Sequence, residues 1–237
     1  MKVKIVFDKE SAQSHLYSGW GLSFFVGEST LFDTGTNGKW LLKNFEHLKI
    51  DALKIKDVVI SHEHWDHVNG LWKLIEKNNK INVHVCAGFS SEFKQKIADL
   101  KVNIVERKDF GEITRNIYSS GEVDARYNKE QVPEQALVIR TKSGFSLLTG
   151  CAHSGILKII DLVKKNLKIT ELFLVFGGFH LGDMHKLAVE ELGRELKKMN
   201  VRKIGPTHCT GEVAMMVLRD IFKNDFVEIK TGQTVEV

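Results

Sequence analysis

The stretch DVVISHEHWDHVNG, residues 57–70, constrains the fold more than any other part of the chain. Val58, Val59 and Ile60 form a short apolar β-branched run, the mark of a buried strand. Directly after them come His62, Glu63, His64, Asp66 and His67. Burying so many titratable groups without partners is very costly. The run therefore belongs inside a sheet and the cluster at its carboxyl end, where open sheets gather ligands.

In extended chain, residues two apart point the same way. His62, His64 and Asp66 are then expected on one side and Glu63 and Trp65 on the other, with His67 delivered by the turn into a helix. Imidazole and carboxylate are donors for zinc and similar divalent ions. Two histidines on one face can chelate one ion, and the adjacent Asp66 and His67 a second. The competing reading, incidental histidines before a helix that Asp66 merely caps, leaves the crowding of titratable groups unexplained.

The rest of the chain alternates strands and helices. Strands are expected at VKIVF (3–7), within 21–35, at DVVIS (57–61), VHVCA (83–87) and VNIVE (102–106). ITRNIYSSGEV (113–123) reads as a strand and hairpin. ALVIRTKSGFSLLTG (136–150) reads as a hairpin turning on Lys142-Ser143-Gly144. ELFLVFGG, VRKIGP and a last strand FVEI (226–229) follow. Helices are expected at 37–50, 70–78, 90–100, 154–167 with Ser154 as N-cap, 185–200 and GEVAMMVLRDIFK. Two sheets covered outside by helices, a four-layer αββα sandwich of the α/β (α+β) class, satisfy this order. With two prolines and no low-complexity linker, one domain over 1–237 is expected.

Three more histidines directly follow strands: His153 in GCAHSG, His180 in GGFH and His208 in PTHCTG. Each has glycine or cysteine close by, and glycine lets backbone approach a ligand closely. His47 in a helix and His84 in a strand are read as structural or exposed, His15 as a loop residue that could line a pocket, and His185 as a polar helix-end residue.

Composition narrows the partners. The 34 basic and 30 acidic residues are interspersed and give a net charge of +4. That is too mild and dispersed for a nucleic-acid surface. No apolar run is long enough for a membrane span, and the amino terminus lacks signal-peptide anatomy. Three cysteines, Cys86, Cys151 and Cys209, without paired spacing suit a reducing compartment. A cytoplasmic protein acting on a small molecule is expected; oligomeric state is not visible.

Asp33 in LFDTG, the His62-x-His64-x-Asp66-His67 motif and His208 after a late strand together resemble the metallo-β-lactamase superfamily, over about residues 20–212. The resemblance implies the αββα fold and one or two divalent metals, zinc foremost, with iron or manganese also suited. It implies His62 and His64 on the first metal, and Asp66, His67 and His208 on the second. Asp33 would orient a ligand imidazole from behind. The pattern departs from the family midway. Cys151 occupies the place of the usual bridging Asp, and His153 is the nearest replacement for a missing midway His. EQALVIRT, TGCAHSGI, GGFHL and PTHCTG resemble the branch of the dihydropterin–ribofuranosylaminobenzene phosphate synthases.

Three functions follow as expectations. The first is a hydrolase in which metal-activated hydroxide attacks a phosphoester or ester, with Asp66 and His180 as catalytic groups. The second is a C–C bond-forming transferase of the synthase type. Trp20, with Phe24, Phe25 and Trp65, would then stack a flat ring, although burial in the core is the favoured reading of such aromatics. The third is a non-catalytic metal-binding or sensor domain, with Cys151 and Cys209 as soft ligands or redox-sensitive thiols.

Overall fold

The computed structural model describes residues 1–237. In chain order the strands are β1 Lys2–Phe7, β2 Ser23–Val26, β3 Thr30–Phe32, β4 Asp57–Val59, β5 Asn82–Val85, β6 Asn103–Glu106, β7 Gly111–Thr114, β8 Ile117–Ser119, β9 Arg126–Tyr127, β10 Glu130–Gln131, β11 Leu137–Thr141, β12 Gly144–Thr149, β13 Leu172–Gly178, β14 Val201–Thr207 and β15 Thr234–Glu236. The helices are α1 Gly38–His47, α2 Trp65–Val68, α3 Leu71–Lys77, α4 Ser91–Asp99, α5 Ile156–Leu167, α6 Lys186–Lys198 and α7 Glu212–Phe222. None is long and apolar enough to cross a membrane.

Two sheets carry the fold. One has seven strands in the order β15-β1-β2-β3-β4-β5-β6, the other six in the order β14-β13-β12-β11-β8-β7. Within each, hairpin-linked antiparallel strands lead into parallel ones, β3-β4-β5-β6 in the first and β12-β13-β14 in the second. Parallel neighbours need crossover helices, which cover the outer faces.

Three apolar cores show the layering. Val3, Ile5, Phe24, Phe32 and Val59 meet Leu137, Ile139, Leu148 and Phe176 between the sheets. Leu41, Phe45, Leu71, Leu74 and Phe93 seal the outside of the first sheet. Ile156, Ile160, Val189, Leu196 and Leu218 seal the outside of the second. The strands therefore bury both faces, which is why they read as continuous apolar runs. The result is the αββα sandwich.

Several local expectations give way. Residues 226–229 form no strand: Phe226 makes a single bridge to Ile204, and the carboxyl-terminal edge strand is β15, against Lys2–Lys4. The three apolar residues Phe226, Val227 and Ile229 are satisfied by packing, without a ladder of their own. Ser154 does not cap α5. Gly155 holds the cap position at φ 95°, because the chain has already turned at Ala152, φ 60°. The 113–123 segment begins earlier, with β7 and β8 turning on Asn116 at φ 66°. The small β9–β10 hairpin has only two residues per strand, below what periodicity can register.

The two sheets converge where β4 and β12 end. A Cβ on Gly150 would lie 2.1 Å from Ser61 Oγ and 3.2 Å from Asp33 Oδ2. Gly150→Ala is expected to destabilise the chain by about 1–3 kcal/mol through overpacking. Gly111→Ala, whose nearest neighbour would be 4.0 Å away, should leave stability unchanged. Denaturant midpoints of the two variants check this; equal midpoints would show that the junction tolerates movement.

Candidate metal centre

Apart from Asp66 and His67, which lie in α2, the sequence-selected donors sit just beyond strand ends. Asp33 follows β3, His62 and His64 follow β4, Cys151 and His153 follow β12, His180 follows β13, and His208 follows β14. Both sheets deliver their donors to one rim. The chain turns sharply there: Asp33, Ala152, His180 and His208 all have φ between 51° and 60°. Holding non-glycine residues in this region costs energy and recurs at functional sites.

The motif is not extended throughout. His64 is the extended N-cap of α2, and Trp65–Val68 form one helical turn. The expected shared side for His62, His64 and Asp66 is therefore replaced by two groups, because successive helical residues rotate by about 100°. Ligand atoms of His62, His64 and His153 lie within 4.8 Å of one another, and so do those of Asp66, His67 and His208. Glu63 points away and holds Ser90 through its backbone N–H and hydroxyl.

A hydrogen-bond chain fixes which nitrogens face inward. Asp33, wholly buried, accepts from the Ser61 backbone N–H at 2.7 Å and from Ser61 Oγ at 2.7 Å. It also accepts from His67 Nδ1 at 2.6 Å. Ser61 has one hydroxyl proton, which goes to Asp33, so His62 Nδ1, 2.9 Å away, must donate to Ser61 Oγ. That leaves lone pairs on His62 Nε2 and His67 Nε2. His62 Nε2 faces His64 Nδ1 at 3.0 Å and His153 Nε2 at 3.4 Å. His67 Nε2 faces Cys151 Sγ at 3.4 Å and Asp66 Oδ2 at 3.5 Å.

The donors cannot satisfy one another. His208 Nε2 is 3.1 Å from Asp66 Oδ2 but off the line a hydrogen bond requires, so both its ring nitrogens are buried without partners. Cys151 Sγ lies among the donors, sharing compact groups with His62 and His67, with His153 and His180, and with His208 and Cys209. Its sulfur lies between the two trios, within reach of donors of each. Buried lone pairs converging from imidazole, carboxylate and thiol are the donor set of a divalent cation, and the residues fit one.

Charge follows the same division. Burial, reinforced by the neighbouring imidazoles, holds His62 well below the usual histidine range and His153 at about 3. Burial also lowers His64. Burial would lower His67 too, but the Asp33 carboxylate outweighs it and raises the imidazole. Burial pushes the Asp66 carboxyl up, yet His208 and His67 bring it down to about 2. His180 is raised, chiefly by its hydrogen bond with the Cys209 thiol.

The remaining residues divide between site and scaffold. Trp20 is 45% exposed with its ring 4.8 Å from His208. Trp65 is exposed on α2, while Phe24 is buried between the sheets. His84 bonds Asp57 at 2.9 Å and accepts from Arg107, and His15 meets His47 edge to face, all outside the donor groups.

Two residues were not picked out from the sequence. Buried Glu134 accepts from the backbone N–H groups of His153 at 2.9 Å and Ser154 at 2.7 Å, fixing the turn that presents His153. The only signal for it was a carboxylate opening the apolar strand EQALVIRT. Tyr127 lies over the site, its ring 5.1 Å from His153, 5.3 Å from His180 and 5.5 Å from His64.

A proton on a ligating nitrogen competes with a metal ion. His67, raised, regains its proton at a higher pH than His62, His64 and His153, which are lowered. Falling pH should therefore empty the Asp66–His67–His208 trio before the His62–His64–His153 trio. Metal content per chain after dialysis at stepped pH is expected to drop in two stages, and a single drop would contradict the division.

Comparison with known proteins agrees with this geometry. The family model described as metallo-beta-lactamase superfamily matches residues 21–100. A 7,8-dihydropterin-6-methyl-4-(beta-D-ribofuranosyl)-aminobenzene-5'-phosphate synthase of Methanocaldococcus jannaschii is 28% identical, covering 97% of this chain and 94% of the relative. A crystal structure described as a metal-dependent hydrolase of the beta-lactamase superfamily is 29% identical. It superposes with a TM-score of 0.79, covering 100% of this chain and 99% of that one. The metallo-beta-lactamase fold protein YhfI of Bacillus subtilis shares the fold at a TM-score of 0.68 and 18% identity, covering 99% of each chain. With two helix-flanked sheets and a donor cluster at their common rim, the chain is similar to the metallo-beta-lactamase superfamily in fold, and in sequence over residues 21–100.

Proposed function

We propose that the protein is a divalent-metal-dependent hydrolase of phosphoester or ester substrates. One observation carries the reading: two donor trios converge at one rim, and within them both ring nitrogens of buried His208 have no hydrogen-bond partner. His62, His64 and His153 would hold one cation, and Asp66, His67 and His208 a second, with Cys151 within reach of both. Cations there would polarise a phosphoryl or carbonyl oxygen and acidify water.

The chain's own residues supply the rest. Asp66, with its carboxyl brought down to about 2, stays ionised. It suits cation binding better than proton acceptance, which narrows the catalytic role first expected of it. His180, raised, keeps its proton more readily than a free imidazole and is suited to protonate a leaving oxygen. Asp33 and Ser61 hold the imidazoles in the tautomers that leave the inward nitrogens bare. Trp20 and Tyr127 wall the site with apolar surface.

A second reading, a transferase in which an aromatic carbon displaces the diphosphate of a pterin, is favoured by the full-length similarity to the synthase. Exposed Trp20 and Trp65 offer flat surfaces for such a ring.

Metal-loaded protein is expected to hydrolyse at least one of a phosphodiester, phosphomonoester, lactone or thioester panel, with chelation abolishing turnover. His64→Ala should lose bound metal and activity together. His180→Gln should keep its metal and lose roughly 10²- to 10⁴-fold in kcat, the usual loss of a general acid. Coupled product from a pterin diphosphate and an aryl ribotide, with no hydrolysis across the panel, would select the transferase. Full activity of metal-free His64→Ala would overturn both readings.

A further inference from the structure

A second cavity adjoins the donor cluster, with a volume of about 520 Å³. Arg126, Gln131, Lys158, Asp124, Ser154 and His153 line it. One wall is the β9–β10 hairpin, in which Arg126 pairs across from Gln131. The other is the turn at residues 153–154 and the first turn of α5. Neighbouring residues of a strand face opposite sides. Tyr127 accordingly lies over His64, His153 and His180, while Arg126 lines the cavity.

Its charge is positive, with Arg126 and Lys158 against the single carboxylate of Asp124. Neither Arg126 nor Lys158 belongs to any ion pair of the chain. Lys158 Nζ donates to the backbone carbonyl of Asp124 at 2.8 Å, which steers the ammonium without neutralising it. Glu134, beneath the turn, has both oxygens committed to backbone N–H groups. Ser154 Oγ is shut off from solvent and has no partner. The cavity thus offers a guanidinium fork, an ammonium and an amide, with Asp124 as its one carboxylate.

We propose that this cavity binds the terminal phosphate of a small phosphorylated substrate, as an anchor that does not react. Two cations match a phosphate dianion, and an Arg fork suits its oxygens. His153 is a wall of both the cavity and the donor cluster, so a phosphate held on one side directs the rest of the substrate to the other. Binding energy from such a remote group can be used at the reacting bond. The assignment deepens the metal-dependent reading above and names its substrate class: a phosphorylated small molecule whose reacting bond lies away from the phosphate.

The test separates the anchor from the chemistry. In full-length His62→Ala/His64→Ala protein, which lacks one donor trio, inorganic phosphate is titrated by calorimetry. Saturable one-to-one binding is expected, weakened about tenfold or more by adding Arg126→Gln/Lys158→Gln, the usual scale for lost charge-assisted hydrogen bonds. Arg126→Lys/Lys158→Arg should keep most of the binding. Dimethyl phosphate, a monoanion, should bind far more weakly. Both side chains are exposed, so thermal melts should match and exclude misfolding. Unchanged affinity in the Gln pair, equal binding of the diester, or no saturable binding would overturn the proposal. Because binding needs neither turnover nor a complete metal site, the anchor and the hydrolase reading can fail independently.

Discussion

The buried Asp33 carboxylate is the interaction on which the rest of the site depends. It takes hydrogen bonds from Ser61 N, Ser61 Oγ and His67 Nδ1. A buried carboxylate is tolerated only when so fully bonded. Through Ser61 it also fixes His62, although it never touches that ring. One anion thus determines the proton positions of two imidazoles at the heart of both trios. Charge-assisted bonds of this kind are short and directional, so the inward nitrogens are oriented before anything binds.

That orientation would be useless without the agreement of the two sheets. β4 supplies His62 and His64, whereas β12 and β14 of the other sheet supply His153 and His208. Phe24 against Phe176, edge to face at 5.7 Å, exemplifies the inter-sheet core that keeps these strand ends in register. Gln135 joins the sheets at the rim itself, donating to the carbonyls of Ile60 at 2.9 Å and His84 at 3.2 Å. Close-packed interiors transmit strain instead of absorbing it, so a small shift in the core reaches the donors. Burying both His208 ring nitrogens without partners destabilises the folded chain, and a ligand binding only that state offsets the cost by mass action.

Much of this was legible in the residues. The β-branched run before His62 located a strand end, and three further strand-then-histidine junctions located the same rim. The split of the His62–His67 motif into two groups was not legible, because a single helical turn at Trp65–Val68 looks like extended chain to any pattern of period two. Glu134 and Tyr127 escaped for another reason. Each acts on residues distant in sequence, and neither carries a local pattern. The β9–β10 hairpin escaped because its strands are too short to have a period.

By itself, the sequence determined the αββα order and the histidines and carboxylates that reach the rim, since apolar periodicity and strand-end position are local properties. Only the tertiary structure decided how those donors divide, which nitrogens they present, and that the Cys151 sulfur sits between the trios. It alone brought Arg126 and Lys158 to one cavity beside His153. Those outcomes depend on distances between atoms set by packing and hydrogen bonding across two sheets, and no single segment contains them.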